Sequence, residues 1–271
     1  MFPRPRDFAA GLALLCGSVF AAGQAATPLT PEQMKGAART DDFSIPTPGE
    51  FMAALGKVGK PDWSSKTRPP IPTDFPDRGQ RALNLGTLVA DGYLAVEAES
   101  KQDVKNIGKD IIALAKGLGV SEELTSRGKS LTDFADDGKW DVLREELEAT
   151  QNEVKNKFST SGDADLIALV SVGAWVRGTE LISSHVAKTY TKEGAQLLRQ
   201  PAIIEYLATK LNALPEKLRD EPAVKRARMK LAELQGAVSF PRENVTDQEG
   251  VKKIHALCSE LVKDLSKKNL K

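Results

Sequence analysis

Charged side chains within otherwise apolar segments are the residues of this sequence best suited to chemistry. Asp91 follows Gly86 by five residues in one such segment, and Arg177 follows Gly173 by four residues in another. A charge withdrawn from water is costly unless a partner or a ligand neutralises it. These nearly matching positions predict that Asp91 and Arg177 meet.

Two uses of these charges fit the sequence. A buried ion pair between Asp91 and Arg177 would fix the register of two helices. Alternatively, the charges would line a ligand pocket, for which the candidate residues are Asp91, Arg177, Glu180 and Glu97. An enzyme could use the three carboxylates of that set as acid and base, because neighbouring acids in an apolar setting have pKa values that are pushed apart.

Metal binding and nucleophilic catalysis lack their usual sequence patterns. The only histidines are His185 and His255, and neither follows an acidic residue by three positions or belongs to a His-Glu-x-x-His motif. The chain has no Gly-x-Ser-x-Gly and no phosphate-binding glycine loop. We therefore expect no metal and no cofactor, and we interpret Cys258 as a small apolar residue in a helix.

Two segments that are apolar on nearly every side must position these charges. Residues 82–96 and 166–182 have no polar face, so we expect them to be the two buried central helices of an all-α, single compact multi-helix bundle. Glycine in the middle of a helix costs about 1 kcal/mol, so Gly86 and Gly173 predict a close backbone approach. Residues 85–89 also align weakly with residues 172–176, which indicates either chance similarity or an internal duplication with halves 80–160 and 165–240.

Amphipathic helices and an extended strap should surround this pair. Apolar residues recur at intervals of three and four in segments 104–118, 140–158 and 251–265, which predicts outer helices with one wet face. Five prolines interrupt residues 59–78, and the strap that they predict should pack Trp63 and Phe75 against the bundle. The helical domain, including this strap, should span residues 48–268.

The first residues have the composition of a secretory signal peptide. Arg4 and Arg6 precede an apolar run over residues 8–22, and small residues follow up to Ala26. We expect cleavage after residues 1–26, a loosely ordered segment over residues 27–47, and a periplasmic or extracellular mature protein. Later in the chain no run of about 18 apolar residues occurs, so we expect no integral membrane segment.

Charge and cysteine content restrict the partners. The chain has 38 Lys and Arg residues against 37 Asp and Glu residues, and removal of the leader leaves it formally neutral. Neutrality argues against nucleic acid, which basic surfaces bind. Only Cys258 remains after cleavage, so no intramolecular disulfide can form.

Together these patterns favour an exported, bacterial-type helical protein that is not an enzyme. Its expected role is to bind a protein partner or a small ligand in the cell envelope. The alternative is an envelope enzyme that uses the buried carboxylates of the central helices.

Overall fold

The structure is a computed structural model that describes residues 45–268. The expected signal peptide and most of segment 27–47 lie outside these residues. Between residues 45 and 268 the secondary structure is helical, with no strand. Eleven α-helices occur there: α1 (Pro48–Val58), α2 (Arg78–Glu97), α3 (Lys101–Lys116), α4 (Ser121–Asp136), α5 (Trp140–Thr160), α6 (Ala164–Lys188), α7 (Lys192–Gln196), α8 (Pro201–Asn212), α9 (Glu216–Arg219), α10 (Pro222–Val238) and α11 (Gln248–Leu265).

Helices α2 and α6 form the centre of the bundle, as their all-round apolarity predicts. Both are buried over most of their length. Arg78 at the start of α2 lies 2.8 Å from Asp163, just before α6, and Asp91 contacts Arg177 in the second half of each helix. The two helices therefore run in the same direction, side by side.

The contact between α2 and α6 depends on two glycines that face each other reciprocally. A Cβ atom at Gly86 would overlap the carbonyl oxygen of Val170, and a Cβ atom at Gly173 would overlap the carbonyl oxygen of Leu83. Each glycine thus lies against the residue three positions before the other glycine. The expectation of close backbone approach is confirmed, and the two glycines occupy equivalent positions in the pair.

Each central helix begins a unit of four long helices. In the first unit, α2, α3, α4 and α5 pack in chain order, and α5 returns to contact α2 and α6. In the second unit, α6, α8, α10 and α11 pack in chain order, and α11 returns to α6. The second unit therefore extends beyond residue 240, where the expected second half ends.

The proline-rich strap packs on the bundle, as predicted. Apart from a short 3-10 turn at Ser64–Lys66, residues 59–77 form no helix. The side chains of Trp63 and Phe75 are buried in the main core. Burial of these aromatic rings explains why a segment without regular structure stays attached to the helices.

Helix α6 is the one described helix that is long and apolar enough to cross a membrane. Of its most apolar window, 78% is buried within the protein. Its hydropathy is accounted for by its central position between the two units, because a helix enclosed by other helices has no need of a polar face.

Candidate functional site

The predicted meeting of Asp91 and Arg177 is confirmed. Arg177 Nε donates to Asp91 Oδ1 over 2.8 Å, and Arg177 Nη1 donates to Glu180 Oε2, also over 2.8 Å. Asp91, Arg177 and Glu180 are 4%, 5% and 8% exposed. Burial on its own lowers the pKa of Arg177, but the charges of Asp91 and Glu180 outweigh it and raise the pKa of the guanidinium.

The strap completes this group of charges. Arg68 Nε donates to Asp91 Oδ2 over 2.8 Å, and Arg68 Nη2 donates to Thr87 Oγ1 over 2.8 Å. The backbone oxygen of Lys66 accepts a hydrogen bond from Arg177 Nη2 at 3.1 Å. Asp91, Arg177, Glu180 and Arg68, named here the ion cluster, therefore contain two carboxylates and two guanidinium groups.

Glu97 does not join the ion cluster. It lies at the end of α2, where its Oε1 accepts a hydrogen bond from Arg144 Nε of α5 at 2.7 Å. Arg144 also contacts Asp141 at 2.6 Å. The structure thus brings together three of the four candidate residues. The fourth, Glu97, takes part in the contact between α2 and α5.

The other chemically capable side chains stay apart. No group of three metal-ligating side chains occurs within residues 45–268. His185 lies 3.0 Å from the hydroxyl of Thr189 and lines a small cavity of about 150 Å³. Burial, followed by the charge of Lys66, lowers the pKa of His185. Cys258 is fully buried in α11, and burial raises the pKa of its thiol.

A much larger cavity lies inside the first unit. It has a volume of about 740 Å³, is partly open to solvent, and is lined by α2, α3, α4, α5 and the first turns of α6. No residue of the ion cluster lines it. Its apolar walls are formed mainly by Leu85, Val89, Val96, Val104, Ile107, Ile111, Ile112, Leu124, Leu131, Leu147, Val154, Phe158, Ile167 and Val170.

The two units differ in how completely their helices pack. In the first unit, Ile107, Ile111 and Ile112 of α3 face the cavity and are only partly buried. In the second unit, Ile204 and Leu207 of α8 are completely buried. The cavity, which we name the four-helix cavity, belongs to the first unit.

Three glycines line the four-helix cavity. No close backbone contact explains them, as it explains Gly86 and Gly173. A Cβ atom at Gly92 would meet only the ends of two isoleucine side chains at 4.0 Å, and one at Gly108 would meet nothing within 4 Å. At Gly128 the nearest atom would be Ile112 Cδ1 at 3.5 Å. Since alanine is about 1 kcal/mol more favourable than glycine within a helix, these positions keep open a space that helix packing does not require.

A few polar groups interrupt the apolar wall. The hydroxyl of Tyr93 lies 3.5 Å from Gln151 Oε1, which is long for a hydrogen bond between oxygen atoms. Lys155 lies one helical turn after Gln151 and also lines the cavity. Burial lowers the pKa of the Lys155 amine. These three side chains lie together in one part of the cavity wall, and we name them the polar corner.

The four-helix cavity was not foreseen in the sequence. Its walls come from segments 104–118 and 140–158, which were expected only to form outer helices with one wet face. Helical periodicity reports which face of each helix is apolar, whereas a cavity depends on how far apart the apolar faces lie. The glycines at positions 108 and 128 were the available signal, because neither stands at a helix end.

Comparisons with known proteins do not assign this chain to a family. The chain matches no protein-family model, no curated protein and no solved structure. Its function must therefore be argued from the four-helix cavity and the ion cluster.

Proposed function

We propose that this protein is exported and binds a small apolar molecule in the four-helix cavity, without acting on it as an enzyme. The observation that carries the proposal is an apolar cavity of about 740 Å³ inside one unit of the bundle. Cavities that bind small molecules have volumes of about 300–1,000 Å³, apolar walls and few polar groups. The four-helix cavity has all three properties.

The glycines support a binding role over a packing defect. A defect left by imperfect packing would be reduced by any side chain that grows into it, and such filling stabilises a protein. Gly92, Gly108 and Gly128 come from three different helices and leave room on three walls. A ligand that occupies this room would replace the missing side chains and stabilise the folded state.

The ion cluster supports a structural role for the charged candidates. Asp91 accepts hydrogen bonds from Arg177 and Arg68, and Glu180 accepts one from Arg177. A general acid or base must reach a proton on its substrate, and these carboxylates are instead directed at guanidinium groups. The proposal therefore assigns the ion cluster to the attachment of α2, α6 and the strap.

The expected export fits a protein that binds an apolar molecule. The leader expected over residues 1–26 would deliver it to an aqueous compartment outside the cytoplasm, where an apolar molecule is poorly soluble. A protein that encloses the molecule removes its apolar surface from water, which is favourable in proportion to the area covered.

The proposal is tested with N-phenyl-1-naphthylamine, a neutral apolar dye whose fluorescence rises when it leaves water. The mature chain from Thr27 is titrated with the dye, and we expect saturable enhancement with one site per chain. Ile111→Trp should weaken binding at least tenfold, because the larger side chain occupies the cavity that Ile111 lines.

Met229→Trp is the matched control. Met229 lies on α10 in the second unit and is 54% exposed, so the same new side chain there should leave dye binding unchanged. Absence of saturable binding, or equal binding by both tryptophan variants, would contradict the proposal.

A further inference from the structure

We infer that the ligand of the four-helix cavity is a carboxylate with a single alkyl chain, and that Lys155 binds its carboxylate. This inference rests on the proposed function and adds the chemical class of the ligand. It is carried by a cation that lines an apolar cavity and has no ion-pair partner among the residues that the structure describes.

Lys155 differs from the other partly or fully buried lysines of the described chain. Lys105 lies 2.6 Å from Asp136, Lys66 donates to Ser184 over 2.8 Å, and Lys230 lies 2.9 Å from Glu260. Lys157 and Lys210 also have interactions. Within residues 45–268, Lys155 has no carboxylate within ion-pair distance and no hydrogen-bond acceptor.

The charge of Glu50 also acts on Lys155, but Glu50 is not an ion-pair partner of Lys155. Glu50 acts on Lys155 only through the longer-range attraction of its charge. Its carboxylate accepts a hydrogen bond from the backbone N–H of Thr47 at 2.6 Å as part of the capping box of α1. Glu50 is therefore committed to a helix end, and the ammonium group of Lys155 remains available to a ligand.

The rest of the polar corner suits a carboxylate. An ionised carboxylate only accepts hydrogen bonds, whereas an ammonium group, an amide and a hydroxyl can donate them. Lys155 offers its ammonium group and Gln151 its side-chain amide. The hydroxyl of Tyr93 lies 3.5 Å from Gln151 Oε1 and also interacts with the side chain of Thr47. The two donors of α5 are therefore the ones that a carboxylate in the cavity would use.

The rest of the cavity wall indicates what the part of the ligand other than its carboxylate should be. Its apolar part is built from leucine, isoleucine and valine side chains together with one phenylalanine, which favours a saturated chain over a polar or charged body. Exposed Lys109, Lys129 and Asp133 also line the cavity, so charges of both signs lie where the cavity reaches the surface.

The test compares decanoate with 1-decanol, which has a chain of the same length and no charge, by isothermal titration calorimetry on the mature chain. Hydrogen bonds to charged groups are stronger than those between neutral groups, so decanoate should bind about tenfold to hundredfold more tightly than 1-decanol. Lys155→Met should remove this preference. Lys155→Arg should retain it.

Two comparisons complete the experiment. Lys253→Met, which removes an exposed lysine from α11 in the second unit, should bind decanoate like the unchanged protein. Shortening the ligand to octanoate should weaken binding about fourfold for each methylene removed, as expected for burial of a chain.

The outcomes separate the two proposals. If the dye and 1-decanol bind but Lys155→Met binds decanoate normally, the inference about Lys155 is wrong and the proposed function stands. If neither the dye nor either decyl compound binds, the proposed function fails and the inference fails with it. If decanoate alone binds and requires Lys155, the inference is supported without help from the dye.

Discussion

Asp91 joins two elements of the protein within the ion cluster. It accepts hydrogen bonds from Arg177 of the neighbouring central helix and from Arg68 of the strap. Loss of Asp91 leaves Arg68 without its carboxylate, whereas loss of Arg177 leaves Glu180 without its guanidinium group. The cluster is therefore a chain of alternating charges in which Asp91 and Arg177 are the two inner members.

This chain of charges leads to a prediction about stability. Asp91→Ala should lower the free energy of unfolding by about 3–5 kcal/mol, because a buried charge that loses its partner is strongly unfavourable. Asp91→Ala combined with Arg177→Met should cost less than the sum of the two single changes, with a coupling of about 1 kcal/mol or more. Urea denaturation of the four proteins measures both quantities.

An exposed pair provides the control for that cycle. Lys252 and Glu249 lie 2.6 Å apart on the surface of α11, and removal of both should reveal a coupling below about 0.5 kcal/mol. Strictly additive losses at Asp91 and Arg177 would mean that their contact contributes nothing to stability.

The sequence could predict three residues of the ion cluster and not the fourth, Arg68. Asp91 and Arg177 were recognisable because each interrupts an apolar helix, and such charges need partners. Arg68 lies among prolines, in a segment without periodicity, so its position over the central helices follows only from tertiary packing. Glu97 was grouped with the cluster because it follows Asp91 along α2, but the end of that helix faces α5 and Arg144.

At the scale of helices, glycine has two distinct uses in this protein. Gly86 and Gly173 allow the backbones of α2 and α6 to touch. Gly108 borders the four-helix cavity, and a Cβ atom added there would have no neighbour within 4 Å. All three glycines lie inside helices, and they differ only in the groups that surround them. Apolar periodicity predicted the helices well, but it could not report that one set of helices closes tightly and the other leaves a cavity.

The two uses predict opposite effects of the same substitution. Gly86→Ala should destabilise the protein by about 3 kcal/mol, because the new methyl group would overlap the carbonyl of Val170 and push the central helices apart. Gly108→Ala should instead stabilise it by up to about 1 kcal/mol, since alanine favours the helix and has room. Thermal and urea unfolding of both variants measure the difference, and a similar loss in both would refute this distinction.

At the scale of the whole molecule, the two units share a centre and differ in content. Residues such as Ile204 and Leu207 in the second unit are completely buried. The first unit has a cavity of about 740 Å³, which removes packing contacts that a filled core would have. The ligand binding that we propose would therefore take place in the first unit.

Export is a prediction about the whole chain and is measured on the protein from its source cells. We expect the protein to be recovered from the cell envelope or the medium with a new N-terminus close to Ala26 or Thr27, because the leader has the basic, apolar and small-residue order that signal peptidase requires. Mass spectrometry of the intact protein measures this. A cytoplasmic species that retains Met1 would exclude export.

The parallel arrangement of the central helices also has a consequence for how the protein folds. Asp91 and Arg177 are 86 positions apart in the sequence, and three helices must be made between them before α2 and α6 can meet. Closing a loop of this length has an entropic cost. The contact between α2 and α6 should therefore form only after the whole first unit has been synthesised. Until then the newly made chain lacks its central contact, and an incompletely folded chain is the form in which the export that we propose would carry it across a membrane.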